Sequence, residues 1–135
     1  MVEKSVAWEG TFGHWLGMEY DEVHEGVARC KIKIEPRHCN PNGVCHGGAM
    51  FAIADDAMGA AAFSVAPAGR VPTSLQVNIH FARSARPGDL LSVSARVVSS
   101  GKRTCVLESR ILDDQQRMVA LLSASYMFIE PRKPE

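Results

Sequence analysis

Gly47-Gly48-Ala49-Met50-Phe51-Ala52-Ile53-Ala54-Asp55-Asp56-Ala57-Met58-Gly59-Ala60-Ala61-Ala62-Phe63-Ser64-Val65 is the stretch that decides the fold. Ala49, Met50, Ile53, Ala57, Ala61 and Val65 recur at three- and four-residue steps, the spacing of a helix. Pro67 and Gly69 close the run, so the sequence predicts one helix over residues 47–65. The segment is apolar nearly all round, which predicts a buried helix rather than one lying on the surface.

On either side of it the period changes to two. Upstream, within residues 22–34, Ala28, Cys30, Ile32 and Ile34 alternate with Arg29, Lys31 and Lys33, the pattern of a half-buried strand. Pro36 stops it, and His38-Cys39-Asn40-Pro41-Asn42-Gly43 is dense in turn formers. Downstream, Thr73, Leu75, Val77, Ile79 and Phe81 alternate with Ser74, Gln76, Asn78 and His80. This places Ser74 on the polar face of its strand. Pro87-Gly88-Asp89 turns the chain, and Leu91, Val93, Ala95 and Val97 form the next strand. Ser99-Ser100-Gly101 signals a hairpin, followed by strands over residues 104–112 and 118–128. A strand, one long helix and four strands joined by short turns predict an α+β domain, an antiparallel meander wrapped on a central helix. No repeat or interdomain linker is apparent, so residues 1–135 are expected to form one domain.

Composition narrows the function classes. The 135 residues are 46% apolar, and fifteen basic side chains balance fifteen acidic ones. That suffices for a core and argues against whole-surface attraction to nucleic acid or anionic lipid. The longest apolar-plus-glycine run, residues 47–54, is far short of the ~18–20 residues that span a bilayer. The polar start Met1-Val2-Glu3-Lys4-Ser5 leads into no secretory apolar region. Cys30, Cys39, Cys45 and Cys105 are too few for a disulfide scaffold. A soluble cytoplasmic protein with reduced thiols is expected, with no nucleic-acid or membrane partner.

Asp55 and Asp56 stand in the middle of the apolar helix, where carboxylates are expensive to bury. Successive helical residues point about 100° apart, so the two cannot share a face. Gly47 and Gly48 open the helix, where backbone N–H groups lack intrahelical acceptors. The glycines serve a tight loop-to-helix turn. Without a Cβ they also let a ligand oxygen approach the main chain, at the positive end of the helix dipole, which suits a developing oxyanion. Asp55 lies eight residues beyond Gly47, roughly 12 Å along the axis at about 1.5 Å per residue. One small reacting group cannot touch both. If both act on one carbonyl, they come from different subunits of a homodimer.

Asn40-x-x-Gly43-x-x-His46-Gly47-Gly48, with Asp55 nine residues after the histidine, resembles the hotdog-fold acyl-CoA thioesterases of the phenylacetate-degradation (PaaI-like) type. Ser74-Leu-Gln-Val-Asn78-Ile-His-Phe81, Arg86-Pro-Gly-Asp89 and Gly101-Lys102-Arg103 are similar to that family as well, and the likeness runs over about residues 17–128. The resemblance implies a hotdog fold, an antiparallel sheet wrapped around one long central helix. It implies hydrolysis of aryl- or medium-chain acyl-CoA thioesters by a homodimer or a homotetramer built as a dimer of dimers. Asp55 would be the general base or nucleophile, and the Gly47 N–H of the other subunit would polarise the carbonyl. Asn40 would place the water or the thioester, Ser74 would support the water, and His46 would shape the loop.

Lys102 and Arg103, and after them Arg83 and Arg86, are candidates for the coenzyme A phosphates by charge-assisted hydrogen bonds; solvated strand-end charge is the plainer account of each. His38-Cys39 and Cys45-His46 match no zinc spacing, nothing marks Cys45 as an activated thiolate, and no Walker or dinucleotide pattern occurs. No metal and no cofactor are expected. Two alternatives stand beside hydrolysis: an enoyl or hydroxyacyl thioester hydratase-dehydratase on the same fold, and a non-catalytic acyl-CoA-binding module.

Overall fold

The computed structural model describes residues 5–6 and 9–134. Its elements are β1 (Ser5–Val6), α1 (Phe12–Leu16), β2 (Glu19–His24), β3 (Val27–Lys33), a 3-10 turn (Pro36–His38), α2 (Gly47–Phe63), β4 (Val71–Phe81), β5 (Leu90–Ser100), β6 (Thr104–Leu112) and β7 (Met118–Ile129). All pair antiparallel in one sheet of order β1-β2-β3-β5-β6-β7-β4. The sheet curls around α2, the architecture expected of a hotdog fold.

The core lies between that helix and the sheet. Ala54, Ala57, Ala61 and Ala62 are fully buried, and their small side chains let the helix approach the strands closely. Ile53 and Met58 are buried in the same core cluster as Leu91, Val93, Leu107, Ile111 and Leu122. Each large aliphatic side chain so buried contributes about 1.5–3 kcal/mol relative to exposure. Ser64 caps the far end of α2, and its hydroxyl accepts a bond from Gly26 N–H at 2.7 Å, tying the helix to the β2–β3 turn.

Three features depart from the sequence reading. The region before α2 holds a hairpin, β2 with β3, and the short helix α1, rather than one strand. The hairpin turn uses Glu25 and Gly26 in left-handed conformations, φ 48° and 82°, and a glutamate at such a position carries no turn signature. The strands after α2 are not a simple meander. β4 crosses to the far edge and pairs with β7, while β5 pairs with β3. Residues 82–89 make the crossing, fixed where Ala85 C=O accepts from Cys45 N–H at 2.7 Å and Asp89 C=O from Ile34 N–H at 2.8 Å. The third departure concerns α2, which is not wholly buried: one side faces the core, whereas Ala49, Phe51, Ala52, Asp55 and Asp56 are half-buried and Gly48 is exposed. No helix among the described residues is long and apolar enough to cross a membrane.

Candidate active site

The loop preceding α2 is a small braced structure. His38 is buried; its Nδ1 accepts from Glu35 N–H at 2.9 Å, which leaves Nε2 to donate to Leu16 C=O at 2.7 Å. Asn40 N–H donates to Val44 C=O and His46 N–H to His38 C=O, so Cys39 and Cys45 face each other across a two-strand bridge. The Asn40 side-chain oxygen accepts from Asn42 N–H at 2.9 Å, so that atom is used within its own turn.

This bracing delivers His46 to the helix N-cap in extended conformation, φ −62° and ψ 137°. Its Nδ1 accepts from Gly48 N–H at 2.8 Å, and its carbonyl accepts from Ala49 and Met50 N–H at 2.9 and 3.2 Å. Gly47 N–H has no acceptor among the described residues. It is a free donor at the positive end of a seventeen-residue helix. The Phe81 ring stands over it: a Cβ at Gly47 would lie 3.0 Å from Phe81 Cζ.

The two carboxylates part to opposite sides of α2. Asp56 turns toward β2 and α1, where Tyr20 hydroxyl donates to Oδ2 at 2.5 Å. Gly13 packs so tightly on it that a Cβ there would meet the carboxyl at 3.0 Å. Burial pushes the Asp56 carboxyl above its ordinary value, with the neighbouring Asp55 charge adding to the rise and the Tyr20 bond opposing it. Asp55 turns the other way, toward β7, where the Tyr126 hydroxyl donates to its carboxylate.

Ser74 is placed differently from its sequence pattern. It sits directly opposite Tyr126, just before a bulge at Leu75. Opposed residues in an antiparallel pair share a face, and Tyr126 points to the helix. Ser74 therefore lies on the helix side with Val77, Ile79 and Phe81, not on the polar face with Gln76, Asn78 and His80. A bulge re-aims side chains in this way, and strict alternation cannot register it.

The basic residues divide into two groups. Lys102 and Arg103 join Arg70, Phe128 and Glu130 around an open cavity of about 630 Å³ at the Val71 end of β4. Arg83 and Arg86 follow Phe81 at the other end, about 33 Å away for a strand of this length. One chain does not bring the four together. Tyr126, Tyr20 and Arg70 were not singled out by sequence. The signal for Tyr126 is a phenol on the inward period of β7, among Leu122, Ala124 and Phe128, since a buried hydroxyl requires a partner.

The arrangement holds an unpartnered N–H at Gly47 and the Asp55 carboxylate roughly 12 Å further along the same helix, too far apart for one small group to touch both. Residues 42–120 match the thioesterase superfamily. The acyl-coenzyme A thioesterase PaaI of Escherichia coli K12 is 32% identical over 106 residues, 78% of this chain and 74% of that protein. The structure of E. coli PaaI superposes with a TM-score of 0.80, covering 85% of this chain and 81% of that one. A conserved protein of Pseudomonas aeruginosa, 26% identical, superposes at 0.83 over 89% of this chain and 94% of its own.

Proposed function

The chain belongs to the thioesterase superfamily and is a thioester hydrolase, and from that membership we propose that it hydrolyses aryl- or medium-chain acyl-CoA thioesters at a site shared between two copies of the chain. The observation that carries this reading is the free Gly47 N–H, with Asp55 roughly 12 Å further along the same helix. The thioester oxygen accepts from Gly47 N–H of one subunit. Asp55 of the other takes a proton from water as the water oxygen adds to the carbonyl carbon. The C–S bond then breaks, and coenzyme A leaves as a thiolate, a leaving group good enough to need no strong acid. In the variant mechanism Asp55 itself attacks, and water opens the resulting anhydride.

The second copy is supported by β4. It is an edge strand with unpaired backbone groups, and it exposes Leu75 and Phe81 at 55% each, beside the half-covered face of α2. Two β4 strands paired antiparallel about their middles would set the Arg70–Lys102–Arg103 cavity of one subunit beside Arg83 and Arg86 of the other. The two basic groups, separate in one chain, then make one phosphate-binding surface next to a Gly47. Phe81 gives the acyl group an aromatic wall. Asn40 and Ser74 flank the water, and His46 holds the loop.

The experiment is thioester hydrolysis over an acyl-CoA panel, followed by loss of thioester absorbance, for wild type, Asp55→Asn and Asp56→Asn. The reading requires turnover of at least one acyl-CoA and its collapse in Asp55→Asn alone. A fully active monomer in analytical ultracentrifugation would overturn the shared site.

A further inference from the structure

Two buried tyrosines flank α2 from opposite sides, and the mechanism above uses neither. Tyr20, from β2, holds Asp56 beneath α1. Tyr126, from β7, is 3% exposed; its hydroxyl reaches both the Asp55 carboxylate and the Asp55 main-chain carbonyl, the latter at 2.9 Å. A phenol has one hydrogen, and the carboxylate is the stronger acceptor, so the proton goes there. We propose that Tyr126 is the positioning residue for Asp55: its hydroxyl fixes one carboxylate oxygen and thereby aims the other at the reacting water.

The proposal rests on the role of Asp55 given above, and three observations extend it to Tyr126. An aspartate in mid-helix has several rotamers, and a half-buried one beside an open edge is not fixed by packing alone. Tyr126 supplies the missing constraint, because its ring is locked in the core between the helix and the sheet. It also lies opposite Ser74 at the bulge, so the same pair of strands that holds the carboxylate presents the serine hydroxyl on its helix side. Burial and the Asp55 charge keep the phenol protonated well above its ordinary range, so it remains a donor at every working pH. The matching tyrosine on the other side turns Asp56 away under α1, which explains why two adjacent aspartates take different parts.

Tyr126→Phe removes the hydroxyl and leaves the ring. Loosening a reacting group in this way lowers kcat by about 10- to 100-fold, with KM within about twofold of wild type, because the acyl-CoA contacts are untouched. Tyr20→Phe removes the equivalent hydroxyl from Asp56 and leaves kcat unchanged. In an Asp55→Asn background, Tyr126→Phe has no further effect on the residual rate, since it acts through the carboxylate. A Tyr126→Phe enzyme with wild-type kcat overturns the proposal, as does the same loss in both backgrounds, which marks a structural role. Wild-type activity in Asp55→Asn overturns the reading of Asp55 itself, an outcome separable from failure at Tyr126 alone.

Discussion

Gly47→Pro tests the oxyanion role proposed for the Gly47 N–H. Gly47 is the first residue of α2, where proline is tolerated because its missing N–H has no helical partner. His46 before it has ψ 137°, within the range that a following proline demands. The substitution therefore removes one N–H that bonds to nothing among the described residues and disturbs no helical bond. Its Cβ approaches Phe81 Cζ at 3.0 Å, but that side chain is 55% exposed and can swing outward, for about 0.5–1.5 kcal/mol. Proline's smaller unfolded-state entropy offsets about 0.4–1 kcal/mol of that, so the melting temperature should move by no more than a few degrees. Loss of one oxyanion donor costs about 2.7–4 kcal/mol in the transition state, a 100- to 1000-fold fall in kcat. Gly47→Ala is the control, because it adds the same Cβ and keeps the N–H. Thioester absorbance with the best acyl-CoA of the panel is the assay. Equal rates for the proline and alanine variants, whether both high or both low, would refute the role of the N–H.

Other expectations follow from the same geometry. His46→Ala removes the cap on Gly48 N–H and should destabilise by about 0.5–2 kcal/mol, read in urea unfolding at unchanged m-value. Asp56→Asn should raise the melting temperature, and the gain should grow with pH. The folded-state carboxyl is held above its ordinary 3.8 chiefly by burial, so the wild type loses stability as pH climbs from that value through the folded one; melting curves at pH 4.5 and 7.5 check the sign. Burial pushes the Cys45 thiol up to about 11 and the Cys30 thiol to about 12, and raises Cys105 as well. A thiol reagent at pH 8 should therefore label the half-buried Cys39 first, and reach all four only after denaturation.

Much of the architecture is legible in the order of residues because burial imposes periods. The three-to-four spacing in α2 and the alternation in β3, β5, β6 and β7 are each answers to one apolar face, and each element appears where that pattern stands. The N-terminal hairpin was invisible because its turn is made by Glu25, and α1 because five residues are too few for a period. The motif Asn40-x-x-Gly43-x-x-His46-Gly47-Gly48 with Asp55 is likewise local, since the loop and helix that carry it are contiguous.

Long-range pairing was decided elsewhere. Nothing in the spacing of β4 says that it joins β7 rather than β5; that choice is set by the crossing of residues 82–89 and by the strand faces that must meet α2. With it come the features that alternation misplaced: Ser74 turned to the helix side by the bulge at Leu75, and Arg83 and Arg86 carried to the opposite end of β4 from Lys102 and Arg103. The different settings of Asp55 and Asp56 are of the same kind. Two adjacent identical side chains have identical chemistry in the chain, and they differ only because the sheet brings Tyr126 to one and Tyr20 to the other.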